Sequence, residues 1–199
     1  MGIIRRKRHG AGSHRGTRGF TLIELMVTLG VLAVVIGIGI PLMTNMTNGN
    51  RLTGASNELV AAFQIARSEA IRSNTRTILC QSADSVTCSN TVPWRGWIVF
   101  TDVNGNNLPD ANEIRRVGNI EVPLEVRTSG NIINNRIVFR GDGLAYSNNA
   151  LLAANIRVCL PTTRPETNIR ELNIAIGGRI AVRPPINGAG VCNGAIGNN

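Results

Sequence analysis

Residues 20–43 are almost wholly apolar, and Glu24 is the one ionisable side chain among them. A helix rising 1.5 Å per residue needs about 20 apolar residues to cross the hydrocarbon core of a bilayer. The run has that length, so it predicts a membrane-crossing helix over a buried core helix. Pro41 falls late in the run, where a proline kinks a helix or opens its hydrogen-bond ladder, and Gly37 and Gly39 weaken the same region. After a polar stretch at 45–50 a second helical pattern begins. Leu52, Ala55, Leu59, Ala62, Phe63, Ala66 and Ala70 recur at three- and four-residue steps, while Arg67, Glu69, Arg72 and Arg76 lie off that stripe. The pattern predicts one long, bent helix from Phe20 to about Ser73. Its first half, residues 20–43, anchors, and its second half, residues 44–74, packs against a domain.

From residue 75 the period changes to that of strands. Short β-rich or alternating runs occupy 76–80, 97–100, 114–120, 136–140, 155–160, 168–176 and 179–183, and 120–126 carries an edge-type Pro123. Residues 114–120 are placed to form a hairpin with 97–100. Gly141-Asp142-Gly143 and Gly177-Gly178 punctuate the later runs, and the tail from 184 reads as loop held by Cys192. The expected class is α+β, a long N-terminal helix laid on antiparallel sheets, with residues 75–199 as the β-rich part of the globular domain.

A carboxylate inside an apolar span costs roughly 2.5–3.5 kcal/mol on insertion scales, so Glu24 needs a partner. The nearest candidate is an α-amino group, which exists at Phe20 if the chain is cut after Gly19. Ahead of Gly19 stand five Arg, one Lys, two His and no acid. A secretory signal is cut after its apolar region, and here the fingerprint precedes it. Gly19-Phe20-Thr21-Leu22-Ile23-Glu24 with this basic leader resembles the class III signal of type IV pilins and type II secretion pseudopilins. The resemblance implies that prepilin peptidase removes residues 1–19, that Phe20 becomes the N-methylated first residue, and that Glu24 is the assembly glutamate. It also implies retention in the bacterial inner membrane, with the N-terminus cytoplasmic, in keeping with the positive-inside tendency. The domain would be periplasmic until it enters a filament.

Removing the leader lowers the formal charge from +9 to +3. It also removes His9, His14 and Lys7, the sequence's only histidines and lysine. A mature chain without His or Lys runs no Ser-His-Asp, Cys-His or Schiff-base mechanism and offers no histidine-ligated zinc, so an enzyme is not expected. The four cysteines, Cys80, Cys88, Cys159 and Cys192, follow the membrane segment, and their number and spacing read as two disulfides. Of the three possible pairings, Cys80–Cys88 with Cys159–Cys192 is favoured: one closes a short loop and the other ties the tail to a strand.

The stretches Ala66-Arg67-Ser68-Glu69-Ala70, Gly96-Trp97-Ile98-Val99-Phe100-Thr101-Asp102 and Gly178-Arg179 together resemble the GspH/FimT family. Those proteins are minor pilins of type IV pili and minor pseudopilins of type II secretion. The resemblance implies the type IV pilin fold, other pilins as partners, and a low-copy subunit at or near a filament tip.

Two constellations bear on chemistry. Oxygen side chains at Asp102, Asn104, Asn106, Asp110 and Glu113 reproduce the spacing of a calcium loop, with Leu108 able to offer its carbonyl. Asn107 stands where that loop has glycine, and strand-like flanks replace its two helices. A hairpin loop rich in Asn, Asp and Gly is the plainer reading, and no metal or other cofactor is expected. The second constellation is the C-terminal arginine excess: eight Arg against three acids over 127–199, compared with seven against eight over 44–126. The guanidinium fork suits phosphates. Some FimT proteins bind DNA in natural transformation through a C-terminal Gly-Arg-x-Arg motif. Here Gly178, Arg179 and Ile180 match, Ala181 replaces the second arginine, and Arg183 follows two residues later. On an extended strand Arg179 and Arg183 share a face roughly 13 Å apart. Arg164 and Arg170 complete the candidate set for the backbone of double-stranded DNA. The leading expectation is a minor type IV pilin that primes and caps the pilus and takes up DNA. The alternative is a minor pseudopilin at a secretion pseudopilus tip.

Overall fold

A computed structural model describes residues 19–198, and most of the leader, residues 1–18 with Lys7, His9 and His14, lies outside the described residues. The chain divides into two compact units that meet between Pro41 and Leu42. Helix α1, Leu22–Ser73, belongs to both. It opens on a cap: the Thr21 side-chain oxygen accepts from the Glu24 backbone N–H at 3.3 Å, and the Thr21 carbonyl accepts from Leu25 at 3.1 Å. Thr21-Leu22-Ile23-Glu24 therefore has the spacing of a capping box, and an acid in the first turn also suits the helix dipole. Pro41 does not end the helix. In the N-terminal unit the apolar side chains are solvent-facing: Phe20, Leu25, Val31 and Ile38 are all exposed. The segment is long and apolar enough to cross a membrane.

The second unit is built on the amphipathic stripe. Leu52, Leu59, Ala62, Phe63, Ala66 and Ala70 are buried. Among the described residues ten strands form two antiparallel sheets: β1 (Thr77–Gln81), β2 (Gly96–Thr101), β3 (Ile114–Asn119), β4 (Glu125–Thr128), β5 (Arg136–Phe139), β6 (Ala145–Ser147), β7 (Ala150–Leu151), β8 (Ala154–Cys159), β9 (Ile169–Ile174) and β10 (Ile180–Val182). The larger sheet has the order β3-β2-β1-β5-β6-β7 and the smaller β10-β9-β8-β4. The helical stripe shares one core with Trp97, Val99, Ile137 and Phe139 of the larger sheet and Ile156, Val158, Leu172 and Ile174 of the smaller. Phe63 meets Phe139 edge-on at 6.2 Å. Alternation along β1 and β2 sends Ile78, Cys80, Ile98 and Phe100 into a second, smaller cluster with Cys88 and Val138.

Two expectations about strands are corrected, and two short strands were not expected. The strand expected at 120–126 forms at β4, because Leu124 closes a turn onto the Glu121 carbonyl around Pro123. The last strand is only Ile180–Val182, so Arg179 and Arg183 fall just outside it. Strands β6 and β7, three and two residues long, carry too short a pattern to register in the sequence. Disulfides join Cys80 to Cys88 and Cys159 to Cys192.

Candidate functional site

The arginines singled out by the sequence do not form one cluster. Arg179 is exposed on the β9–β10 turn, where its carbonyl accepts from Ala175 at 2.9 Å. Among the described residues its guanidinium has no hydrogen-bond or ion-pair partner. Gly178 precedes it at φ +68°, and a Cβ there would stand 2.7 Å from the Gly143 carbonyl. The turn thus needs glycine twice over, for its left-handed backbone and for its close approach to the β5–β6 turn. Half-buried Arg67 of α1 reaches the Gly178 carbonyl at 3.4 Å. Phe63, Arg67 and Ile71 from the helix and Gly178, Arg179 and Ile180 from the turn line an open groove of about 380 Å³. Its walls are apolar and its rim carries two cations. Arg67 was not among the expected contact residues, because nothing in the sequence links it to a turn more than a hundred residues away.

Arg183 sits beside Glu171, at 3.4 Å, and the same carboxylate binds Arg157 at 2.7 Å. Its positive charge is therefore partly matched. Arg170 donates to the Thr167 and Ile169 carbonyls, and burial pushes its pKa below the ordinary arginine value. Arg164 is exposed, and its carbonyl accepts from Asn48 near the start of the second unit. Asn48 and Arg67 are nineteen positions apart on one helix, about 28 Å along its axis. Arg164 and Arg179 thus mark opposite ends of the domain's helix.

The 102–113 loop closes on itself. Asp102 pairs with Arg76 at 3.0 Å and accepts from the Asn107 N–H at 3.3 Å. The Asn104 and Asn106 side-chain oxygens accept from the backbone two residues on, and both amides donate to Asp110. Glu113, buried, accepts from Val103 at 2.8 Å, and among the described residues its second oxygen has no hydrogen-bond partner. Asp102, the first oxygen of the calcium-like spacing, thus takes its counter-charge from an arginine. Among the described residues no group of three or more His, Cys, Asp or Glu is placed to hold a metal.

The family profile described as "Type II transport protein GspH" matches residues 55–178, and that of the "Prokaryotic N-terminal methylation motif" matches residues 14–40. The chain belongs to the GspH family. It is 33% identical over 96 residues to the pilin-like protein PilA1 of Thermus thermophilus, covering 48% of this chain and 55% of that one. The chain thus spans about half the length of that curated relative. The crystal structure of the type IV minor pilin FimU of Pseudomonas aeruginosa superposes with a TM-score of 0.51 at 20% identity, over 70% of this chain and 92% of that one. The minor pseudopilin EpsH of the Vibrio cholerae type 2 secretion system gives 0.48 at 7% identity, over 67% and 96%.

The long helix on antiparallel sheets is the type IV pilin fold. Within this GspH-family domain the β5–β6 turn, whose Gly143 carbonyl faces Gly178, carries a further charged group. Asp142 accepts from the Leu144 N–H at 2.9 Å and the Tyr146 hydroxyl at 2.8 Å, and these bonds hold its carboxyl below the usual range. The same contact pushes the Tyr146 phenol up. Arg140 stacks on the Tyr146 ring, 4.0 Å from its centroid.

Proposed function

We propose that this GspH-family chain is a minor type IV pilin that primes or caps the pilus and grips double-stranded DNA for uptake. In this reading prepilin peptidase cuts after Gly19, Phe20 is methylated, residues 20–43 hold the subunit in the inner membrane, and Glu24 engages a neighbouring pilin. Residues 44–199 are the periplasmic part, which ends near the filament tip. DNA phosphates meet Arg179 first, with Arg67 behind it. Arg183 lies on the flank, weakened by Glu171, and Arg170 and Arg164 are more distant contributors.

The observation that carries the DNA reading is Arg179: exposed, with no partner for its guanidinium among the described residues, on a turn whose Gly178 packs closely on the β5–β6 turn, and beside a second arginine. A site of few phosphate contacts gives a sequence-independent grip whose affinity falls by about 0.9 log unit per contact for each log unit of salt.

The test is duplex DNA titrated into the full mature chain in detergent at two salt concentrations, with Arg179→Gln alongside. The expected result is salt-sensitive binding, with Arg179→Gln weakening it and reducing the salt slope by about one contact. Undiminished binding in Arg179→Gln would remove the turn from the reading. Absence of binding at low salt would put the second reading first, a minor pseudopilin of type II secretion, which the GspH family description favours.

A further inference from the structure

Strands β5 and β6 carry a second, strongly polar cleft of about 220 Å³, lined by Arg76, Arg136, Arg140, Tyr146 and Asn149. Its volume is several times the roughly 30 Å³ share of one liquid water. Strand geometry assembles it. Arg136 and Val138 alternate along β5 and Arg140 follows at its end, while β1 runs beside them with Thr77 opposite Phe139, which brings Arg76 next to Arg140. Tyr146 stands opposite Val138 on β6.

Each guanidinium is held by a bond that leaves donors over. Arg136 gives one N–H to the Asn107 carbonyl at 2.8 Å. Arg140 gives one to the Asn149 side-chain oxygen at 3.0 Å and lies on the Tyr146 ring. Arg76 spends its bonds on Asp102 and the Gly105 carbonyl. A guanidinium carries five N–H donors, so unused donors remain on all three. Among the described residues two carboxylates bond to these lining side chains: Asp102, paired with Arg76, and Asp142, bonded to the Tyr146 hydroxyl. Three half-buried cations against two engaged acids leave the cleft positive, with Arg136 lacking any acid partner among the described residues.

We propose that this cleft is an oxyanion site for a phosphate-type group. A carboxylate is satisfied by a single guanidinium fork, whereas a tetrahedral oxyanion accepts donors from several sides, as Arg76, Arg136, Arg140 and the Asn149 amide provide. The side chains are already positioned by their existing bonds, so little ordering is needed on binding. The group is either a free phosphate or a phosphodiester of a polyanion. The site does not depend on the Arg67–Arg179 groove binding anything.

Tyr146 is the sole tyrosine of the sequence, so its ring reports on the cleft alone. The experiment is inorganic phosphate titrated into the full mature chain in detergent, carrying ¹³C-labelled tyrosine, against chloride at matched ionic strength. The expected result is a saturable Tyr146 shift with phosphate at millimolar concentration, absent with chloride. Arg136→Gln should weaken it at least tenfold, and Arg136→Lys, which keeps the charge and loses the fork, should weaken it less. No saturable shift in the wild-type chain, or the same shift with chloride, overturns the site whatever the variants do. So does an unchanged titration in a folded Arg136→Gln. Short duplex DNA then separates the sources. A Tyr146 shift that saturates at lower concentration than phosphate assigns the site to a phosphodiester, and a signal unmoved by DNA but moved by phosphate assigns it to a free anion.

Discussion

Gly178 and Arg179 are adjacent, yet they answer to different physics. Gly178 sits at φ +68° with the Gly143 carbonyl 2.7 Å from where a Cβ would be. Both the backbone strain and the backbone clash oppose a side chain, so Gly178→Ala should cost about 1–3 kcal/mol. A thermal melt reads this as a lowered midpoint, at about 2–4 °C per kcal/mol for a chain of this size. Arg179→Gln removes no hydrogen bond or ion pair seen among the described residues and should leave the midpoint unchanged. A melt of Gly178→Ala at the wild-type midpoint would remove the steric role of the glycine. A second prediction concerns Tyr146, whose phenol is raised chiefly by its hydrogen bond to Asp142. Asp142→Asn removes the charge that opposes a phenolate, so tyrosinate should appear at lower pH, nearer the ordinary value of about 10. Tyrosinate absorbance against pH checks it, and an unmoved titration would contradict the contact.

At the level of elements, the two disulfides close loops of different length, with sequence separations of 8 and 33. Chain-entropy arguments give about 2.5 kcal/mol for the shorter and about 3.7 kcal/mol for the longer. Replacing Cys159 and Cys192 by serine should therefore lower stability to denaturant more than replacing Cys80 and Cys88. The short loop is also organised by Asp84, which accepts from the Thr87 hydroxyl and N–H, the Val86 N–H and the Ser82 hydroxyl. Hydrogen bonds from Thr87 above all push its carboxyl far below the usual range. With the folded pKa depressed, its contribution is complete above the unfolded value of about 3.9 and fades as pH falls toward the folded one. The helix was legible because its apolar run and its three-four stripe are both strong periodic signals, and β2 with β3 because β-rich runs flank a loop of Asn, Asp and Gly. Strand β4 was misplaced because Pro123 makes a turn where alternation alone reads as strand. The spacing of Asp102, Asn104 and Asp110 was legible too, but Arg76 as the carboxylate's partner was not. The meeting of Arg67 with Gly178 is set by packing of α1 on the smaller sheet, and no local pattern encodes it.

For the whole molecule, α1 presents two kinds of surface. Exposed apolar side chains extend from Phe20 to Met46, whereas the buried stripe begins at Leu52. Among the described residues the helical part of the core runs from Leu52 to Ala70, with Phe63 edge-on to Phe139. Phe63→Ala should cost about 3–5 kcal/mol by opening a cavity between helix and sheets. Because Phe63 also floors the groove beside Arg179, that variant tests packing, not DNA contact. The separation of the two halves yields a sharper expectation. A chain beginning at Asn48 keeps every buried helical residue and the Asn48 contact to the Arg164 carbonyl. It loses the exposed apolar surface that would otherwise drive association in water. It should stay monomeric without detergent and melt in one cooperative transition, with a midpoint within a few degrees of the full mature chain in detergent. A much lower midpoint, or a molten fragment, would mean that residues before Asn48 support the domain and that the two units do not fold independently.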